Sequence, residues 1–234
     1  MKTRILLLAI IALSLLSIHA CKDKDEPVTI TSDDAADLVI NSTENATFGL
    51  AAQLRTSSEL FVPYIDSSFC DILQDSTLLK YYGGMSIQYN YTFQWSWKIL
   101  CCCGAPLSAD VDYTSTGNNE SSLLSSTFNG SGDLLATGME SFVTEFTFNG
   151  TYARSGNMSS KVRGKVAFDY NLAMTLVNVK VSKSSYLIQS GTVDFSLSCT
   201  TSEGTTFTFD GKVLMSAGQN CTLTIGEESW SFQL

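Results

Sequence analysis

Residues 85–101, MSIQYNYTFQWSWKILC, alternate between apolar and polar side chains over their whole length. Every odd position carries an apolar or aromatic side chain, and the even positions are mostly polar. Because successive side chains of a β-strand point to opposite faces, this alternation predicts one long strand with an apolar face and a polar face. At about 3.3 Å per residue the strand would span roughly 55 Å, which favours a large curved sheet, a sandwich or a barrel.

The alternation continues through most of residues 81–234, which are therefore predicted to be an antiparallel β domain. The expected architecture is a meander that forms a curved sheet, a sandwich or a partly open barrel. Within it, residues 104–119 are predicted to be a loop. The apolar set changes parity near residues 176–177, which predicts a β-bulge or a tight turn there. Apolar positions keep one parity through Gly211, so a continuous strand is expected instead of an Asp-Gly hairpin.

Residues 31–80 are predicted to form a mixed, partly helical section ahead of the β domain. Thr31 is followed three residues later by Asp34, which is the spacing of a helix-capping box. Apolar residues between positions 50 and 61 are spaced for one face of a second helix, and Pro63 would end that helix.

The first twenty residues have the features of a signal peptide. Basic residues precede an apolar run at positions 5–16, and Ala20 lies directly before Cys21. The run is shorter than the about 20 apolar residues that a transmembrane helix needs. Residues 1–20 are therefore expected to be a signal peptide, and the charged residues 21–30 are expected to be a solvated tether.

Residues 18–21, IHAC, resemble a bacterial lipobox, and residues 22–27, KDKDEP, resemble the tether of Bacteroidetes-type surface lipoproteins. The resemblance extends to the WKILC run at 97–101 and the FTFNGTY run at 146–152. It implies cleavage before Cys21, lipid attachment to that cysteine, and a place on the outer face of the outer membrane. These lipoproteins have no assigned activity, so the resemblance bears on location and fold. The alternative is a plain secretory signal with Cys21 as a disulfide cysteine.

The predicted mature chain, residues 21–234, is strongly acidic. It carries 12 basic and 23 acidic side chains, a net charge of -11, because the first twenty residues hold two of the fourteen basic residues and no acid. This charge argues against nucleic acid as a partner and against docking on anionic lipid through a basic patch. The membrane is expected as a partner only through the N-terminal lipid.

The only histidine, His19, lies in the predicted signal peptide. Its position excludes Ser-His-Asp and Cys-His nucleophile systems and histidine metal sites from the predicted mature chain. No carboxylate pair typical of glycosidases stands out, and the cysteine spacing does not fit a zinc site. We therefore expect no catalytic residues, no metal and no cofactor.

Six cysteines follow the predicted lipid-attachment site, and an even number in an exported chain suggests disulfides. Cys101 lies on the apolar face of the long strand and Cys70 precedes that strand, so this pair is the preferred disulfide. The alternative is that several cysteines are small buried residues. If residues 205–215 form one strand, Cys199 and Cys221 lie near opposite ends of the sheet, far beyond the roughly 7 Å Cα limit for a bridge.

The aromatic side chains of the long strand are the candidate ligand face: Tyr89, Tyr91, Trp95 and Trp97. An exposed face of this kind would bind an apolar or glycan ligand, whereas a covered one is simply core. Two functional hypotheses follow. The first is a non-enzymatic, lipid-anchored envelope protein with a structural or binding role, and the second is a carrier of an apolar or glycan ligand. A transmembrane barrel is disfavoured because residues 85–101 exceed the about 10 residues that its strands need.

Overall fold

The computed structural model describes residues 28–65, 69–84, 87–122, 124–161 and 166–234. The predicted signal peptide, the predicted lipid-attachment residue Cys21 and most of the predicted tether lie outside the described residues. Ile30, which the prediction places in the tether, is buried in the core. The folded part of the chain therefore begins before position 31.

Within these described ranges, two helices precede ten strands. Helix α1 spans Ser32–Thr43 and helix α2 spans Leu50–Phe61, followed by a 3-10 turn at Val62–Tyr64. The strands are β1 (Leu73–Gly83), β2 (Ile87–Cys102), β3 (Ala105–Ser121), β4 (Leu124–Thr137), β5 (Glu145–Ser160), β6 (Ala167–Ser182), β7 (Ile188–Thr201), β8 (Thr206–Ser216), β9 (Asn220–Ile225) and β10 (Glu228–Gln233). A second 3-10 turn at Ala217–Gln219 joins β8 to β9.

The ten strands pair in sequence order as one antiparallel sheet. Within the described ranges β1 pairs only with β2 and β10 pairs only with β9, so the sheet is not closed. The predicted fold class is confirmed: the chain is mainly β, an antiparallel meander with a short helical section near its N-terminus.

Local sequence explains the helix boundaries. The Thr31 hydroxyl accepts a hydrogen bond from the Asp34 backbone N–H (3.3 Å), and the Asp34 carboxylate accepts one from the Thr31 N–H (3.0 Å). This confirms the predicted capping box, which satisfies N–H groups that the first turn leaves unpaired. Gly49 precedes α2 because a Cβ there would lie 2.4 Å from the Ser42 carbonyl oxygen. The second helix ends as predicted at the turn that contains Pro63.

The long strand, the parity change and the strand through Gly211 are all confirmed. Strand β2 buries alternate side chains from Tyr91 to Ile99. In β6 the side chain of Val177 is exposed while Val179 is fully buried, and the register with β7 shifts after Val177. Strand β8 runs through Gly211 without interruption.

Two predictions of local structure were wrong. Strand β1 occupies residues that we assigned to the mixed section, and β3 occupies the predicted loop at 104–119. As an edge strand β1 leaves most of its apolar side chains exposed, so it lacks a clean alternation. Strand β3 has Asp, Thr, Asn and Glu at its exposed polar positions, and Asp and Asn are typical of loops. Pro106 lies near its start, beside a register shift in the β2–β3 pairing, where a missing N–H is tolerated.

The helices cover the apolar face of the sheet. Helix α1 contacts β9 and β10, and α2 contacts β5 and β6. The Phe61 ring is fully buried, with its centroid 5.7 Å from that of Phe146 and 6.2 Å from that of Phe148. At the β10 edge of the sheet, Trp230 Nε1 donates a hydrogen bond to Asp33 Oδ1 (3.0 Å). Helix contacts therefore fall on β5, β6, β9 and β10, and the helices cover the apolar face of an unclosed sheet.

Replacing Phe61 with alanine should destabilise the fold by about 3–5 kcal/mol, because it removes the ring that joins α2 to β5 and leaves a cavity. Urea denaturation followed by circular dichroism measures the change. The control is Phe142→Ala, since Phe142 is 84% exposed and its loss should change stability by no more than about 0.5 kcal/mol. Equal effects of the two substitutions would contradict the packing role of Phe61.

Candidate functional site

The predicted disulfide is present at the end of the sheet where β2 finishes. Cys70 and Cys101 are bonded, with their Cα atoms 5.5 Å apart. Next to the bridge, the Asp71 N–H donates a hydrogen bond to the Ile99 carbonyl (2.8 Å). The disulfide therefore fastens the segment that follows α2 to the long strand.

Cys199 and Cys221 are free and buried, as the strand prediction requires. Their partners on β8 are Phe207 and Met215, which are eight positions apart. At about 3.3 Å per residue this separation is roughly 26 Å, far beyond the reach of a disulfide. Burial raises the pKa of each thiol to about 12. Both thiols therefore stay protonated at neutral pH and are poor nucleophiles.

The candidate ligand face is mostly core. Tyr91, Trp95 and Trp97 are buried, and only Tyr89 is partly exposed. Phe48, from the connection between the two helices, covers this face: its ring centroid lies 5.6 Å from that of Tyr89 and 5.1 Å from that of Tyr91. The aromatic face is therefore largely closed by the helices and their connection, as in the core alternative of the sequence analysis.

Phe48 has a backbone φ of 55°, in the left-handed region. A bulky side chain at positive φ is uncommon and strained, so the surrounding contacts must hold it in place. One of them is a hydrogen bond from Gln53 Nε2 to the Phe48 carbonyl (3.3 Å). The strained residue directs its ring against β2 and forms one end of a cleft.

The cleft lies between α2 with its preceding connection and the inner sides of β1 and β2. Its volume is about 610 Å³, within the about 300–1,000 Å³ range of small-ligand pockets. Four aromatic side chains and several hydroxyl, amide and charged side chains line it. The lining residues are Asn45, Ala46, Phe48, Ala52, Gln53, Arg55, Thr56, Glu59, Ser76, Thr77, Leu78, Lys80, Tyr89, Phe93 and Trp95. Of the predicted ligand face, the structure brings Tyr89 and Trp95 to the cleft, whereas Tyr91 and Trp97 are not among its lining residues.

Two buried polar atoms of the cleft wall have no hydrogen-bond partner among the described residues. They are the donor Trp95 Nε1 and the acceptor Gln53 Oε1. Leaving a buried polar group unpaired costs about 1–3 kcal/mol, so these atoms favour a site where a ligand or water completes the bonding. On the rim, Arg55 and Glu59 form a half-exposed ion pair (3.0 Å), and Lys80 adds a second cation.

A second unusual group lies on the buried face of the sheet, at Arg154 of β5. Its side chain is 2% exposed, and its Cζ lies 3.7 Å from the centroid of the Phe128 ring. It interacts with the phenols of Tyr152 and Tyr170, but its Nε and Nη1 have no hydrogen-bond partner in the described structure. Burial raises the pKa of both tyrosines, so they stay neutral and do not balance the guanidinium charge.

Within the described residues no group of three His, Cys, Asp or Glu side chains is arranged to hold a metal ion, and no helix is long and apolar enough to cross a membrane. Comparison with protein-family models, curated proteins and solved structures finds no match to this chain.

Sequence reasoning missed the helix side of the cleft. Phe48 lies in a short connection with no periodic pattern, and nothing in the sequence indicates its positive φ. Gln53 lies in a helix whose apolar spacing predicted its buried face, but a buried glutamine gave no separate signal. The contribution of β1, through residues such as Ser76 and Lys80, was missed together with the strand itself.

Replacing Arg154 with methionine should leave stability unchanged or raise it by about 1–4 kcal/mol, because an apolar chain of similar length removes an unbalanced buried charge. The matched variant Arg154→Ala should lose about 2–5 kcal/mol through the cavity it creates. Urea denaturation of the two variants and the unmodified protein provides the comparison. If methionine is as damaging as alanine, the guanidinium makes interactions that outweigh its burial.

Proposed function

We propose that this chain is a non-catalytic, lipid-anchored protein of the cell envelope that binds a short glycan in the cleft between α2 and strands β1 and β2. The observation that carries the proposal is the composition of that cleft. Aromatic rings lie beside hydroxyl and amide side chains, and its wall holds an unpartnered donor and an unpartnered acceptor.

The chemistry of the cleft suits a sugar better than a purely apolar ligand. A sugar ring presents C–H groups that pack against an aromatic ring such as Tyr89, and hydroxyls that both donate and accept hydrogen bonds. Gln53 Oε1 would accept from one hydroxyl and Trp95 Nε1 would donate to another. Because both atoms are buried, each contact requires a shift of the side chains that line the cleft. An acyl chain would satisfy neither atom.

The proposal of a binding role, without catalysis, rests on the residues present. Residues 21–234 contain no histidine. Among the described residues that line the cleft, Glu59 is the sole carboxylate, and it is paired with Arg55. Glycoside hydrolysis normally uses two carboxylates on opposite sides of the scissile bond. A cleft of this composition therefore favours recognition of a glycan over its cleavage.

The proposed location at the outer face of the outer membrane rests on the lipobox and tether resemblance of residues 18–27. A charged tether of this composition would hold the acidic domain away from the anionic membrane surface. A solvated cleft would then face the glycans outside the cell.

A purely structural role is the second candidate, because Tyr91 and Trp97 of the predicted ligand face belong to the core. In that case the cleft would hold only water. Measuring whether the purified protein binds glycans separates the two candidates.

Binding should be detectable by adding maltotriose, cellotriose or chitotriose to the purified protein and following tryptophan fluorescence and heat release. Tyr89→Ala and Gln53→Ala should each weaken binding of the recognised sugar about two- to twelvefold, since a stacked ring or a hydrogen bond contributes about 0.5–1.5 kcal/mol. Tyr81→Ala is the matched control, because Tyr81 is 80% exposed and is not a lining residue.

If none of these sugars binds and a fatty acid does, the ligand of the cleft is apolar and the glycan proposal is wrong. A fluorescence change that persists unaltered in Tyr89→Ala and Gln53→Ala would place the ligand elsewhere. If neither the sugars nor the fatty acid changes the tryptophan fluorescence, the structural role is favoured.

Cys21 should carry lipid. Cells fed radiolabelled palmitate should incorporate label into the protein, and Cys21→Ser should abolish the label and release the protein from the membrane fraction. Cys102→Ser is the control and should remain labelled. Unlabelled, secreted wild-type protein would show that residues 1–20 are an ordinary secretory signal.

A further inference from the structure

The turn between β2 and β3 carries a pair of thiols that the proposed glycan site does not use. Cys102 and Cys103 are both free and exposed, and their Sγ atoms are 3.6 Å apart. No cysteine occurs among the described lining residues of the cleft, so any chemistry of this pair is separate from ligand binding.

The proximity of the two thiols is a consequence of the turn. On an extended strand, adjacent side chains point to opposite faces and their ends lie far apart. Cys103 instead has a φ of 55°, in the left-handed region, and Gly104 follows with a φ of 82°. This reversal brings both sulfur atoms to one side of the chain.

The surroundings leave the pair open to a reagent. A Cβ placed on Gly104 would meet no heavy atom within 4 Å, so the turn faces open space. Next to the pair, Cys101 is already bonded to Cys70. The other two free cysteines are buried, and burial raises the pKa of each to about 12. Among the cysteines of the described residues, only Cys102 and Cys103 are therefore both reduced and accessible.

We propose that Cys102 and Cys103 form a redox-active dithiol that reduces small disulfides and closes into a disulfide between adjacent residues. One thiolate attacks a sulfur of the external disulfide, forming a mixed disulfide and expelling one external thiolate. The second thiolate then attacks the cysteine sulfur of the mixed disulfide, which closes the ring and expels the other external thiolate.

The step balances without a further reactant. The two cysteine thiols lose two electrons and two protons in total, and the external disulfide gains them to become two thiols. The 3.6 Å separation places the second sulfur in contact with the first. Closure forms an eight-membered ring across one peptide bond, where the Cα atoms are about 3.8 Å apart, so the backbone of the turn must adjust together with the side chains. An exported protein meets disulfides in its surroundings, so this exchange fits the proposed location but does not depend on the cleft.

The test uses the purified full-length protein and oxidised glutathione, with the products read by intact mass and peptide mapping. The Cys70–Cys101 bridge is first verified by mapping after mild reduction. The wild-type protein should lose the mass of two hydrogens, release two glutathione thiols per chain, and retain no adduct. The variants Cys102→Ser and Cys103→Ser should each stop at a mixed disulfide carrying one glutathione, because the resolving thiol is missing.

The matched control is the double variant Cys199→Ser/Cys221→Ser, which removes the buried thiols and should behave as the wild type. Stable glutathione adducts mapped to Cys102 or Cys103 of the wild-type protein would overturn the proposal, because they would show that the second thiol does not resolve the first. A mapped crosslink from Cys102 or Cys103 to Cys70 or Cys101 would also overturn it, since the exchange would then belong to the structural bridge.

Discussion

The contact between two short helices and the concave face of the sheet is the constraint on which this structure depends. An antiparallel sheet with one apolar face must bury that face, and a sandwich does so with a second sheet. Here Phe61 packs on β5, while α1 packs on β9 and β10. The helices therefore replace both the second sheet and the missing closure between β1 and β10. Both helices precede the strands in the sequence, and the meander that follows packs against them.

The curvature that this packing requires is built into particular positions. Gly150 has a φ of 136°, and a Cβ there would lie 2.2 Å from the Asp133 carbonyl oxygen, at the point where the β5–β6 register shifts. A Cβ on Gly132 would lie 2.0 Å from the ring of Tyr113 on the neighbouring strand. Glycine is therefore needed at position 150 for the bulge, and at position 132 so that a large ring can pack against the backbone of the neighbouring strand.

The sequence predicted the parts of the fold that alternate strongly. Strand β2, the parity change at Val177 and the strand through Gly211 follow from a period of two, which is local information. Strand β3 was not predicted because exposed Asp and Asn side chains are typical of loops. Strand β1 was not predicted because most of its apolar residues stay exposed at the edge of the sheet. The Cys70–Cys101 pair was predictable from the face on which Cys101 lies. The cleft could not be predicted from the sequence, because it depends on where the helices end and on the backbone conformation of Phe48. Both are determined by tertiary packing.

A mismatch in length explains why a cleft exists at all. A twelve-residue helix spans about 18 Å, whereas a sixteen-residue strand spans about 53 Å, so two such helices cover only part of the concave face. On β5 the helix contact lies at Phe146 and Phe148, and six residues further along the strand the interior is filled by Arg154 packed on Phe128. At the β1 edge no described side chain fills the space in this way, and the gap beside α2 remains an open cleft. Phe48 closes one end of that gap at the expense of backbone strain, which is the pattern expected where a fold holds a binding cleft in shape.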